Sequence, residues 1–306
     1  MTVISVMAYS FKRVAVLMGG PSAEHAVSLR SGAMILKNLD SKRYKARGVI
    51  ISRKGRWPIT LDALKRDFDL VFIAMHGEYG EDGTIQALFD QHGIPFTGSG
   101  SAASRLGMDK AAANRTFIEA GLPVPPAGKP GRFPLVIKPA DRGSSVGVTI
   151  AKNKREFLRG VETALSASPN ILVQKFISGR EFTCGVLELN GKTTALPPTE
   201  IIPGTSEFFD YRAKYTSGAS QEITPPLINA GSIRKLQRIA LRAHRAIGAK
   251  GFSRTDVIKD KLGRYFVLEI NTIPGMTETS LLPQQAAAAG LPFPKFLEII
   301  IEEALR

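Results

Sequence analysis

Residues 251–280 constrain the fold more than any other stretch. Two apolar runs, 257–258 and 265–270, flank the polar turn 259–264, a pattern that predicts a β-hairpin. Side chains alternate along a strand, so Glu269 and Asn271 share one face, and Asp256 on the facing strand can converge on it. Two carboxylates and an amide oxygen are hard donors of the kind that hold Mg²⁺, an ion that keeps waters and completes its shell with substrate phosphates. Arg254, two positions before Asp256, points to the same side and can steady an anion beside the metal. The competing reading is an amphipathic hairpin whose acids face water.

The N-terminal part alternates strand and helix. Residues 14–18 form a short apolar strand ending in Gly19-Gly20, and a helix follows from about 22, with Ala26, Leu29, Ala33 and Leu36 at helical spacing. Residues 46–51 and 70–75 read as strands and 84–91 as a helix, which implies βαβ units and a parallel sheet. Ligands of such sheets sit beyond the carboxyl ends of strands. Glu24 and His76 stand at such ends, though a first-turn acid and a loop histidine are also ordinary structural features.

The middle region reads as a helix over 109–119 capped by Asp109, a strand at 135–138, a strand at 148–151, a helix at 154–165 and a strand at 171–175. Between the first two of these strands runs Lys138-Pro-Ala-Asp-Arg-Gly143-Ser144-Ser145-Val-Gly147, where glycines allow close approach to a phosphate and Lys138 supplies a point charge; a flexible glycine hairpin is the bland alternative. Farther on come a strand at 181–189, a long loop around 204–220, a helix at 232–246 and a last helix from about 294. Gly185 to Thr193 approximates a P-loop but has one residue too many between glycines and opens no helix; Asn190-Gly191 is instead a hairpin turn. Gly98-Ser-Gly100-Ser-Ala-Ala103 matches a loose dinucleotide pattern, but the acid at the expected distance, Glu119, sits at a helix end, so a nicotinamide site is rejected.

The 306 residues, 43 % hydrophobic and 22 % charged, suit about two domains, with three small ones possible. A single cysteine, Cys184, rules out an internal disulfide and fits a reducing compartment; its apolar surroundings point to a buried thiol. No run approaches transmembrane length, and no basic segment precedes the first apolar residues, so neither a membrane span nor a signal peptide is expected. The net charge of +14 favours anionic partners. A basic stripe on the helix at 232–246 (Arg234, Lys235, Arg238, Arg242, Arg245) reads as a solvated face opposite Leu236, Ile239, Ala243 and Ile247, with a nucleic-acid patch as the competing binding-module reading.

Several segments in one order carry a resemblance: Gly19-Gly-Pro-Ser-Ala-Glu24-His, His76-Gly-Glu-Tyr-Gly-Glu-Asp-Gly83, Met108-Asp-Lys110, the Lys138 glycine loop, Phe209-Asp-Tyr-Arg-Ala-Lys214-Tyr215, Arg254-Thr-Asp256 and Glu269-Ile-Asn271-Thr-Ile-Pro-Gly-Met-Thr. Together they closely resemble the D-alanine–D-alanine ligase family of the ATP-grasp superfamily, over nearly the whole chain from about Arg13. The resemblance implies a mixed α/β, three-domain ATP-grasp architecture: a parallel-sheet substrate domain at 1–98, a central lobe at 99–179 and a C-terminal lobe at 180–306. It implies ATP-driven joining of two D-alanines for peptidoglycan precursors through an acyl phosphate, with D-serine or D-lactate as second substrate in the alternative. It further implies two Mg²⁺ ions (or Mn²⁺) on Asp256, Glu269 and Asn271, and phosphates on Lys110, Lys138, Ser145 and Lys214. Lys175 and Glu181 would lie by the adenine and ribose, Arg254 and the Gly275 N–H at an oxyanion, Glu24 and His76 at the first D-alanine, and Ser280 at the second. Ser144 and Tyr215 would link to Glu24 as the 204–220 loop closes. A cytoplasmic homodimer without nucleic-acid or membrane partners completes the expectation. Gln174 stands where the family often has an acid, and Arg212 replaces the usual acid before Ala213.

Overall fold

The computed structural model describes residues 11–144, 146–204 and 220–306, and within them the chain builds three sheets. The first has the order β2-β1-β3, all parallel, from β1 (Lys12–Gly19), β2 (Tyr44–Ile51) and β3 (Leu70–Ile73). Its helices are α1 (His25–Asn38), α2 (Leu61–Asp67) and α3 (Thr84–His92). β1 is apolar at every position from Val14 to Met18 because both faces are covered. Val14, Val16 and Met18 face one core, Ala15 and Leu17 the other.

The helical stripe expected on α1 holds at Leu29 and Leu36, which pack against the first core, and is corrected at the alanines. Ala26 and Ala33 are exposed, and the buried residues are Val27, Ser28, Ser31, Gly32 and Ile35. Hydrophobicity misleads here because the sheet-facing side holds two serines that bond elsewhere and a glycine at a close approach. A Cβ on Gly32 would stand 2.7 Å from the Met18 side chain.

Two further helices, α4 (Ser101–Met108) and α5 (Lys110–Glu119), lead to the second sheet. Asp109 caps α5, its Oδ1 accepting from the N–H groups of Ala111 at 3.0 Å and Ala112 at 2.9 Å. The second sheet has the antiparallel order β5-β4-β6, from β4 (Leu135–Pro139), β5 (Thr149–Ala151) and β6 (Ile171–Lys175), backed by α6 (Lys154–Ala167). Its small core is Leu135, Ile137, Ala151 and Ala164.

The third sheet runs β10-β9-β7-β11-β12, with β8 also on β7. Its strands are β7 (Gly179–Leu189), β8 (Lys192–Ala195), β9 (Thr199–Pro203), β10 (Ser220–Ile223), β11 (Phe252–Asp260) and β12 (Tyr265–Asn271). Asn190 and Gly191, both at positive φ, turn β7 into β8, as the sequence predicts. On this sheet packs α7 (Ala230–Ala246), and Phe117 of α5 joins Leu236, Ile239, Val257 and Val267 in one core. The last helices, α8 (Leu281–Ala288) and α9 (Phe293–Ala304), return to the first sheet: Leu282, Phe296 and Ile300 share a core with Val16 and Phe72. The C-terminal segment thus seals the first sheet to the third, each fully buried large side chain contributing about 1.5–3 kcal/mol. No helix among the described residues is long and apolar enough to cross a membrane.

Candidate active site

The hairpin of β11 and β12 sets Asp256 directly opposite Glu269 and Arg254 opposite Asn271. A register shift follows Asp256, so that Val257 pairs with Val267 and Leu268 is the extra residue. All four side chains therefore meet on one face. Asp256 is nearly buried; it accepts from Thr183 Oγ1 at 2.6 Å and from Arg254 Nε and Nη2 at 3.0 and 3.1 Å. Glu269 Oε2 lies 3.6 Å from Lys110 Nζ, and Asn271 Oδ1 accepts from the Ile273 N–H at 3.0 Å.

Among the described residues no three acids, histidines or cysteines cluster as a ligand set. The donors here are two carboxylates and an amide, which fits a hard cation that takes its remaining ligands from water and phosphate. The basic side chains of Arg254 and Lys110 lie against these acids and balance charge that a divalent ion would otherwise balance.

Two clefts meet at this hairpin. The first, roughly 950 Å³ including its open mouth, is lined by Glu24, His76, Ser144, Arg254, Gly275 and Ser280. The second, roughly 940 Å³, lies between the second and third sheets; it carries Lys138, Lys175, Glu181 and Asp256, with Val136 and Ile150 among its apolar walls. Lys110 and Glu269 line both. An apolar slot ending in lysines suits a flat base followed by phosphates.

Local structure explains each placement. Lys110 opens α5, its backbone N–H donating to Ala140 O at 2.8 Å and its Nζ to Arg142 O at 2.6 Å, so the helix start is tied to the glycine loop. Ser144 in that loop has φ +53° and donates to Glu24 Oε1. Glu24 sits between two glycines: a Cβ on Gly77 would come within 2.8 Å of its Oε2 and one on Gly143 within 3.1 Å. At the other end, Ser280 precedes α8, and its Oγ accepts from the Thr277 N–H at 2.9 Å; a Cβ on Gly275 would lie 2.7 Å from that Oγ.

His76 is held on every side. Its N–H donates to Ser28 Oγ at 2.9 Å and its Nδ1 to Ile273 O at 3.0 Å, while Nε2 pairs with Ser31 Oγ at 2.8 Å. Ser31 Oγ also accepts from the Met276 N–H at 3.2 Å, so one serine joins the first sheet's loop to the end of the hairpin. Glu81 Oε1 lies 3.8 Å from His76 Nδ1. Burial opposes a charged imidazole, but Glu81 and Glu24 outweigh it and hold His76 above its usual range; burial likewise pushes Glu81 up.

The sequence-derived residues Glu24, His76, Lys110, Ser144, Arg254, Glu269, Asn271, Gly275 and Ser280 are thus brought to one cleft, and Lys138, Lys175, Glu181 and Asp256 to the cleft beside it. Ser145, Lys214 and Tyr215 lie outside the described residues, as does Arg212. Gln174 is buried in the second cleft and donates to Pro125 O at 3.1 Å. Sequence reasoning gave no role to Ser28, Ser31 or Glu222. The serines looked like helix filler, although three-residue spacing puts both on the face turned to His76. Glu222 follows a long loop with no motif of its own; burial pushes its carboxyl up, against a hydrogen bond from Gln284 and the charge of Arg254.

Comparisons with known proteins show what the chain is similar to. A family model described as D-ala D-ala ligase N-terminus matches residues 13–67 and 58–99, and one described as D-ala D-ala ligase C-terminus matches residues 129–302. A D-alanine–D-alanine ligase of Desulfotalea psychrophila is 44 % identical over 313 residues, covering 96 % of this chain and 95 % of that protein. One from Syntrophobacter fumaroxidans is 43 % identical over 309 residues, covering 95 % and 97 %. Among solved structures, the VanG D-Ala:D-Ser ligase from Enterococcus faecalis superposes with a TM-score of 0.85 at 30 % identity, covering 96 % of this chain and 100 % of that one. The D-alanine–D-alanine ligase from Coxiella burnetii gives 0.83 at 27 % identity, covering 96 % and 94 %.

Proposed function

The chain belongs to the D-alanine–D-alanine ligase family, and from that premise we propose that it joins two D-alanines into D-alanyl-D-alanine at the expense of ATP, for peptidoglycan precursors. The observation that supports this most is the shared wall of the two clefts: Lys110 and Glu269 belong to both, so a nucleotide in the apolar slot presents its phosphates to a substrate beside Glu24 and Arg254.

The carboxylate of the first D-alanine attacks the γ-phosphorus, giving an acyl phosphate and ADP. The amine of the second then attacks the acyl carbon, and phosphate leaves. Catalysis of both steps is mostly positioning and charge placement. Glu24, oriented by Ser144, receives the ammonium of the first substrate, with His76 behind it. Lys110 and Lys138 hold phosphate oxygens, and Lys175 and Glu181 take the adenosine end. Arg254 and the Gly275 N–H face the oxyanion, where one well-aimed donor is worth about 10²–10³ in rate. Ser280 takes the carboxylate of the second substrate. Asp256, Glu269 and Asn271 would hold Mg²⁺, or Mn²⁺ in its place, which when bound neutralises phosphate charge. Ser145, Lys214 and Tyr215 keep their assigned parts at the phosphates and the closing loop, on the resemblance alone.

The same reading makes the protein a cytoplasmic homodimer, the dimer being open to light scattering on the purified chain. The activity is tested by phosphate release from ATP with and without D-alanine, with chromatography of the product. D-alanine-dependent release with dipeptide formed is expected; ATP turnover indifferent to D-alanine, or a dominant ester when D-lactate competes, overturns the reading.

A further inference from the structure

Glu222 lines the first cleft together with Arg254, Thr279 and Ser280. It stands on β10, opposite Ile201 of β9. Its Oε2 accepts from Gln284 Nε2 at 2.7 Å, and the same nitrogen donates to Thr279 O at 3.2 Å. The carboxylate is thereby pinned to the segment that ends in Ser280. Its other oxygen, Oε1, has no hydrogen-bond partner among the described residues, and its facing charge is Arg254.

The remaining carboxylates of this cleft have other surroundings. Glu24 is bonded to Ser144, Glu81 lies behind His76, and Glu269 lies beside Lys110. Among the described residues that line the cleft, Glu222 is the carboxylate fixed to the Ser280 end. On the ligase reading, which this inference rests on, the second substrate arrives there as a zwitterion. Ser280 answers its carboxylate, and its ammonium needs an anion of its own in a cleft where Arg254 would repel it. From this placement we infer that Glu222 determines acceptor specificity: it holds the ammonium of the incoming amino acid and thereby favours an amine acceptor over a hydroxy acid. A hydroxy acid has no positive charge to offer, so its lone carboxylate meets Glu222 as a like charge. Discrimination of this kind works as much by repelling the wrong acceptor as by holding the right one.

The test uses the full chain with ATP, Mg²⁺ and D-alanine, alone and in competition with D-lactate, and measures the acceptor KM and the ratio of dipeptide to depsipeptide. Glu222→Gln keeps the volume and removes the charge. It is expected to raise the KM for the second D-alanine roughly 10- to 100-fold, the worth of one charge-assisted hydrogen bond, with little change in the KM for ATP, and to increase the share of depsipeptide. Gln284→Ala, which unpins Oε2, is expected to move both readouts the same way by less, and it carries the test should Glu222→Gln lose its cooperative melt. A wild-type acceptor KM and product ratio in both variants overturns the inference and leaves the ligase reading standing. A wild-type chain that releases no phosphate in response to D-alanine overturns both.

Discussion

At the scale of single residues, the site holds Glu24, His76 and Asp256 each with a fixed partner. Ser31 shows what this costs to undo: its hydroxyl serves both His76 Nε2 and the Met276 N–H in a fully buried position. Ser31→Ala strands both groups, and the chain is expected to lose about 1–3 kcal/mol in urea denaturation. An unchanged midpoint would mean that this bridge does not couple the loop to the hairpin. Glu269 has the opposite character. It is partly exposed beside Lys110, so Glu269→Gln should leave the melt almost untouched while cutting D-alanine-dependent phosphate release by at least about 100-fold. Near-normal turnover would remove the metal role from this residue. These two positions also show why the sequence disclosed one and hid the other. Glu269 and Asn271 stand out because alternation along a strand fixes their common face before any coordinates exist. Ser31 bonds a histidine 45 positions away and a backbone N–H 245 positions away, and local pattern carries no trace of either.

Among whole elements, α7 is the informative case. Its apolar stripe at Leu236, Ile239, Ala243 and Ile247 is buried as the spacing predicts, but Ala240 and His244 are buried with it. His244 was hidden among arginines in the sequence. In the fold its Nδ1 pairs with Ser253 Oγ at 2.8 Å, which lets an imidazole sit under the third sheet. The basic side chains around it have local work: Lys235 Nζ lies 4.6 Å from the Tyr265 ring centre, and Arg242 donates to Ala120 O. Burial, helped by Arg245, pushes the His244 pKa down to about 4. The unfolded chain takes up this proton near pH 6.5, where the native state refuses it. The stability tied to His244 is therefore complete above about pH 6.5 and is lost as pH falls toward 4, roughly 3 kcal/mol at most. Thermal melts at pH 7.5, 6 and 5 should show a falling Tm, with a shallower fall in His244→Gln. An equal slope in the two proteins would place the acid sensitivity elsewhere. The same reasoning covers α1, where apolar periodicity pointed at Ala26, Leu29, Ala33 and Leu36: the leucines pack on the core, but the alanines are exposed and Ser28, Ser31 and Gly32 are buried beside Val27 and Ile35. Periodicity finds the faces that pack by hydrophobicity and passes over those that pack by hydrogen bonding or close backbone approach.

At the scale of the whole molecule, the described residues form three sheets, and the site draws groups from all of them. Lys138 comes from the second sheet, Asp256 and Glu269 from the third, and Glu24 and His76 from the loops of the first. Among the described residues, Ser144 to Glu24 and Arg142 to Glu78 are side-chain links from the glycine loop to the first sheet's loops. A ligand that spans both clefts therefore adds contacts between the glycine loop and the rest of the site, and it binds only the assembled state. By linkage, a non-hydrolysable ATP analogue with Mg²⁺ at about 100 times its Kd should add about 2.7 kcal/mol to stability, which for a chain of this size is a rise in Tm of several degrees. Chelating the metal should remove most of that rise, because the lysines would then face the triphosphate without the cation that joins it to Asp256 and Glu269. D-alanine added after the analogue should raise Tm further, and added alone should raise it less, since the acid-rich wall it shares with the nucleotide is then uncompensated. Equal shifts with and without chelator would show that the nucleotide is held by the second sheet alone, and the hairpin would lose its place as the piece on which the two clefts converge.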